Sequence, residues 1–142
     1  MNINDIYALP VERIADESCI LFLWVTYPML REGLEVMRSW GFTYKTIGFQ
    51  WVKTYPKSTH IFVLGLGRWT RGNTECCLIG LKGRPKRIRK DIRQLIVSPL
   101  QRHSQKPAEA RTRIKELMGD LPAIELFARC EHPGWDCWGN EV

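Results

Sequence analysis

At 142 residues, the chain has room for one hydrophobic core of moderate size. Its 44% hydrophobic and 25% charged residues match an ordinary globular protein. No apolar run is long enough to cross a bilayer, and the polar opening MNIND lacks the basic-then-apolar order of a signal peptide. The expectation is a cytoplasmic location with no membrane partner.

The net charge of +6 is carried entirely by residues 82–93, KGRPKRIRKDIR, which hold seven Lys or Arg and one Asp. So concentrated a stripe is either a phosphate-binding surface or a solvated loop. Arg84, Lys86, Arg87 and Arg89 are its candidate contacts to nucleic acid. The five cysteines are odd in number and contain no CxxC pair. They read as reduced thiols rather than as a zinc site or disulfide framework, and no metal site is assigned.

In chain order, residues 19–26 (CILFLWVT) form a continuous apolar run of strand length, suited to burial on both faces. Pro28 opens a helical pattern through Leu30, Leu34 and Met37, which Gly41 ends. Residues 43–51 alternate and are aromatic and β-branched, a second strand. Residues 53–74 show no period and read as a long loop. Residues 75–81 return to a strand, with Cys76 and Cys77 directed to opposite faces. The basic stripe follows, then a short strand over 94–98 and a polar loop. Pro107 suits the first turn of a helix reaching Met118, with Ala110, Ile114 and Leu117 on its inner face and Gly119 as cap. Residues 121–129 (LPAIELFAR) read as a last strand, before a Gly- and Trp-rich tail. Alternating strands and helices predict one α/β domain over 1–142 with a largely parallel sheet.

Open α/β sheets bind ligands beyond the carboxyl ends of their strands. The richest such segment here is Arg129, Glu131, His132, Asp136, Asn140 and Glu141, within thirteen residues. The interleaved Trp135 and Trp138 either stack on a planar ligand or simply anchor the tail. Residues 64–75 (LGLGRWTRGNTE) have paired glycines but precede no helix, so they fail as a dinucleotide fingerprint. A Gly-rich, aromatic and basic loop can still receive a base or phosphate. Ser104 beside His103 is a neighbour pair, a poor geometry for hydrolase chemistry.

Eight strings then match one family in order and spacing: LFLWVT (21–26), WGFTYKT (40–46), WVKT (51–54), GRWTRGNTE (67–75), KGRP (82–85), HSQKP (103–107), ELFAR (125–129) and GWDCWGNEV (134–142). Together they resemble the MT-A-seventy (MT-A70) adenine-N(6) methyltransferases, and the ending WGNEV is most similar to the bacterial and phage branch, where DNA is the usual substrate. The eukaryotic branch methylates messenger RNA. The resemblance implies a Rossmann-like class I methyltransferase sandwich with rotated motif order and S-adenosylmethionine as donor. By position it implies that Lys106 holds the donor's methionine carboxylate with Ser104 beside it. Phe127, Arg129, His132, Asn140 and Glu141 would line the ribose and adenine pocket, although His132 departs in type from some members. Glu75 would face the acceptor base, with Lys53, Trp69 and Arg71 on the substrate side.

The family's catalytic Asp-Pro-Pro-Trp motif has no counterpart here: none of the eight prolines is adjacent to another. The opening residues align just downstream of it, so the resemblance implies an N-terminally truncated domain. The expectation is an adenine methyltransferase, inactive as this chain alone and acting on nucleic acid, DNA in preference to RNA. A complementary polypeptide would supply the missing strand and motif. The rival reading is a catalytically dead nucleic-acid-binding or scaffold subunit.

Overall fold

The computed structural model describes residues 1–102 and 105–142, the side chain of Thr59 aside. They fall into two compact units, one of Met1–Lys86 with Arg93–Leu100, the other of Arg87–Ile92 with Gln101–Val142.

The first unit opens with a short helix α1, Ile3–Tyr7, held by a reciprocal capping box: the Asp5 amide donates to Asn2 Oδ1 at 2.9 Å and the Asn2 amide to Asp5 Oδ2 at 3.1 Å. Such a box satisfies two amides that would otherwise be orphaned at the helix start. The Asn-x-x-Asp signature that forms it stands in the sequence at residues 2–5. Strand β1 (Cys19–Val25) follows, then helix α2 (Leu30–Ser39), β2 (Thr43–Tyr55), β3 (Ser58–Phe62), β4 (Thr74–Lys82) and β5 (Leu95–Pro99). Trp40, just past α2, donates its indole N–H to the Ile6 carbonyl at 2.8 Å and ties α1 to the end of α2.

The strands pair in the order β1-β4-β2-β3, with β5 also pairing β2. Strands β1 and β2 both run antiparallel to β4 and hence parallel to one another, as a strand-helix-strand unit requires. The largely parallel sheet expected from the sequence is corrected to a mixed one, because β4 enters the slot between them in the opposite direction and only β2 and β5 pair in parallel. The predicted loop over 53–74 is also partly wrong. Strand β2 runs on to Tyr55 and turns back through β3, so a hairpin replaces nearly its first half.

One face of this sheet is covered by α2. Gly33 lies against Val25 Cγ1, and a Cβ on Gly80 of β4 would stand 2.6 Å from Met37 Sδ, so both glycines are needed for the helix to approach. The other face carries an aromatic row: Phe22 stacks on Phe49 with centroids 5.9 Å apart, and Trp24 meets Trp51 edge-on at 6.2 Å. Such pairs add to the burial of large apolar surface.

The second unit holds helix α3 (Ala108–Met118), ended by Gly119 at φ 84°, and two short parallel strands, β6 (Ile124–Leu126) and β7 (Asp136–Trp138). The strand predicted through Arg129 stops at Leu126, because Phe127 adopts a left-handed backbone at φ 59°, which bulky side chains rarely tolerate. Among the described residues, no helix is long and apolar enough to cross a membrane.

Gly33→Ala sets two effects against each other. Helix propensity favours alanine by about 1 kcal/mol. Overpacking against Val25 costs roughly 1–3 kcal/mol and wins, because Val25 is itself buried in β1. Denaturant unfolding should therefore show a less stable variant; a gain in stability would mean that α2 can slide away from the sheet.

Candidate functional site

In the first unit, the register pairs Trp51 of β2 directly with Glu75 of β4. Opposed residues in an antiparallel pair share a face, and Lys53, two residues on, returns to that face. The outcome is a compact group. Lys53 Nζ donates to Glu75 Oε1 at 2.7 Å and lies 5.2 Å from the Trp51 ring centroid, while the Trp51 indole N–H donates to the Ser98 carbonyl at 3.0 Å. Lys53 and Glu75 side chains are only 20% and 11% exposed. At that burial an unpaired charge is costly, so each is the other's partner. The arrangement offers a fixed carboxylate and ammonium on a rigid aromatic wall, suited to recognising the polar edge of a planar ligand.

On the opposite face stands a group that the sequence analysis missed. Tyr27, just beyond β1, receives the Thr74 hydroxyl at its own hydroxyl oxygen at 3.1 Å and is also bonded by Gln50 Nε2, which reaches the Glu75 carbonyl at 3.4 Å. Nothing in the spacing of these three residues announces their meeting; the β2–β4 register brings it about. Trp69 and Arg71, on the loop between β3 and β4, are exposed, Trp69 at 96%, and Arg71 donates to the Gly67 carbonyl at 3.4 Å.

The basic stripe divides into two kinds of cation. Arg89 is held by carboxylates: its Nε and Nη2 donate to Asp91 at 2.9 and 2.6 Å, and its Nη1 to Glu116 at 2.9 Å. The Arg89 hydrogen bonds hold the Asp91 carboxyl below its usual range. By contrast, Arg84, Lys86 and Arg87 are exposed and have no side-chain ion pair among the described residues. These three are better placed than Arg89 to meet phosphates.

In the second unit, Phe127 meets Trp138 edge-on with centroids 5.4 Å apart, so the left-handed turn is braced by the aromatic of β7. The Ala128 amide donates to the Trp138 carbonyl at 2.9 Å and restores the pairing beyond the turn. His132 Nε2 lies 3.3 Å from Glu125 Oε2, and Arg111 Nη1 lies 3.6 Å from Glu125 Oε1. Glu125 is a further residue that sequence reasoning did not single out. Arg129, Asn140 and Glu141 make no side-chain hydrogen bond or ion pair among the described residues, and Lys106 is half-buried. An amide, a carboxylate, a guanidinium and a lysine ammonium are group types that can hydrogen-bond ribose hydroxyls or pair with a carboxylate. Ser104 lies outside the described residues.

A double-mutant cycle on Lys53→Met and Glu75→Gln should give a coupling of about 1–3 kcal/mol, each single change stranding a partly buried partner. Additive effects would show that the two groups are held independently.

Comparison with known proteins places the chain among its relatives. The chain is 35% identical over 144 aligned residues to the Type II methyltransferase M.MunI of a Mycoplasma species, an alignment covering all of this chain and 58% of that protein. It is 34% identical to the N(6)-adenosine-methyltransferase MT-A70-like protein of Arabidopsis thaliana, over 87% of this chain and 18% of that one. It is 31% identical to the human N(6)-adenosine-methyltransferase catalytic subunit METTL3, over 91% of this chain and 23% of that one. The chain thus spans little more than half the length of the first of these relatives and about a fifth of the other two. The MT-A70 family profile matches residues 1–141, and the chain belongs to the MT-A70 family.

Proposed function

We propose that this chain forms part of an S-adenosylmethionine-dependent methyltransferase that modifies the N(6) amine of adenine in nucleic acid, DNA in preference to RNA. The observation that carries the reading is family membership over residues 1–141 joined to the Lys53–Glu75 pair on its aromatic wall. The preference for DNA rests on the WGNEV ending. A cytoplasmic setting is included, since all five cysteines are free thiols.

Bound S-adenosylmethionine would supply an electrophilic methyl group. Lys106 would pair with its carboxylate, Asn140 and Glu141 would receive its ribose hydroxyls, and Phe127, Arg129 and His132 would border its adenine. Glu75, fixed by Lys53, would accept a hydrogen bond from the acceptor base, with Trp69 and Arg71 on the approach. An adenine amine is a poor nucleophile because its lone pair is delocalised into the ring, so holding it in line is where the rate enhancement arises. Extruding the base from a duplex makes such holding feasible. Arg84, Lys86 and Arg87 would meet the phosphate backbone.

The sequence has no two adjacent prolines, so an Asp-Pro-Pro-Trp amine clamp must come from other residues than these. Among the described residues β1 pairs only with β4, and β6 only with β7, leaving each strand one unpaired edge. Unpaired edges accept further strands. The proposal therefore includes a complementary polypeptide that brings a strand and the clamp together.

Three measurements test this. The purified 142-residue chain should transfer no labelled methyl to adenine-containing DNA, and should do so once a polypeptide carrying the strand and Asp-Pro-Pro-Trp is added; failure of every such addition would remove the enzymatic reading. Lys106→Ala should weaken donor binding to the reconstituted assembly roughly tenfold or more, the loss of a charge-assisted contact. For nucleic acid, the Arg84→Ala, Lys86→Ala, Arg87→Ala triple variant should flatten the dependence of affinity on salt by about three phosphate contacts. Arg89→Ala should leave that slope nearly unchanged, and an equal effect of Arg89 would contradict the division of the stripe.

A further inference from the structure

Cys130 directly follows Arg129 in the second unit and is exposed. Its sulfur lies 3.6 Å from His132 Nε2, and the same nitrogen is 3.3 Å from Glu125 Oε2, an oxygen buried from solvent. Cys137, half-buried on β7, directs its own sulfur at the Cys130 carbonyl oxygen, 3.6 Å away. That oxygen is two bonds from the Cys130 Cα, so the Cys137 sulfur is no farther than about 6 Å from it. The contact of the Cys137 sulfur with the Cys130 carbonyl sets the two residues side by side, and a disulfide between them requires Cα atoms roughly 4.4–6.8 Å apart.

We propose that Cys130 and Cys137 form a peroxide-sensitive pair, Cys130 as the attacking thiol and Cys137 as the resolving one. The thiolate is the nucleophile in such chemistry, and an imidazole at the sulfur can take its proton and then hold the thiolate by hydrogen bonding. The other three cysteines are shielded. Cys76 and Cys77 are buried in β4 and Cys19 is half-buried. Burial pushes the Cys19 and Cys76 thiols up, with the Glu75 carboxylate adding to the effect at Cys76.

The step balances as follows. The Cys130 sulfur attacks one oxygen of hydrogen peroxide, the O–O bond breaks, and the hydroxide released takes the proton held by His132 and leaves as water. Cys130 is then a sulfenic acid. The Cys137 sulfur attacks the sulfenic sulfur, the S–O bond breaks, and the departing hydroxide takes the Cys137 proton as a second water. Two thiols have lost two electrons and the peroxide has gained them. The new bond ties β7 to the turn after Arg129, in the segment that also carries Asn140 and Glu141. The proposal does not depend on the methyltransferase reading, since thiol chemistry reports on it directly.

The test is a graded hydrogen peroxide treatment of the 142-residue chain, with remaining thiols alkylated and the product read by intact mass and peptide mapping. The expected result is loss of two alkylatable thiols, a mass lower by two hydrogens before alkylation, and a link between Cys130 and Cys137 within one chain. In Cys137→Ser, dimedone should trap a sulfenic acid at Cys130; in Cys130→Ser, Cys137 should remain a thiol. Retention of all five thiols at peroxide levels that oxidise free glutathione overturns the proposal. So does a link involving Cys19, Cys76 or Cys77, or one between two chains. The mapping of the unaltered chain decides the matter even if a variant does not fold.

Discussion

Strand β4 must be paired on both edges and packed on both faces at once. It holds β1 on one side in unbroken register from Cys19↔Lys82 to Val25↔Cys76, and β2 on the other, with shifts near Lys45 and Gly48 that let β2 curve around it. Its residues answer to these demands. Cys76, Cys77 and Leu78 are almost inaccessible, and Gly80 is bare so that Met37 can descend onto the sheet. Small or flexible apolar side chains are what a strand compressed between a helix and an aromatic row can use. A charged residue at the end of such a strand has to find its partner inside the protein, and Glu75 finds Lys53. The chemistry of the first unit thus follows from the same pairing that builds its core.

The topology explains why the polar groups divide between faces. Strands β1 and β2 are parallel and joined through α2, the arrangement in which a crossover helix covers one face of a sheet. Inserting β4 between them in the opposite sense keeps the helix on its face and leaves the aromatic row on the other. Trp51, Lys53 and Glu75 share that aromatic face, while Gln50 and Thr74 look the other way and meet Tyr27. In the second unit the counterpart is Phe127. Its left-handed backbone ends β6 and turns the chain so that Ala128 can pair with Trp138, with Arg129, Cys130 and His132 following directly. Strained backbone of this sort persists where surrounding contacts over-determine it, as the Phe127–Trp138 contact does here.

Much of the fold was legible where burial imposes a period: β1, α2, β4 and α3 emerged close to their observed bounds from apolar runs and helix-terminal Pro and Gly. Two errors share a cause. A run such as IELFAR reads as strand by composition, but one backbone angle at Phe127 ends it, and composition does not encode that angle. Direction was missed for a similar reason, because β4 is apolar on both faces whether it runs parallel or antiparallel to its neighbours. At the site, the family strings led to Lys53 and Glu75, which the structure unites. They could not reveal that Glu116 and Asp91 occupy Arg89, nor that Glu125 supports His132, since those partners are distant in sequence or ordinary in type.

Among the described residues, the first unit is a sheet built around β4, and its β1 edge pairs with no further strand. Amide hydrogen exchange tests it most directly. In an antiparallel edge strand, alternate amides bond to the neighbour and the others point outward, so residues 20–25 should alternate between slow and fast exchange while β4 is uniformly slow. Adding a polypeptide that supplies a complementary strand should make residues 20–25 uniformly slow. Uniform protection along β1 in the monomeric chain alone would show that its edge is already covered, and would contradict the claim.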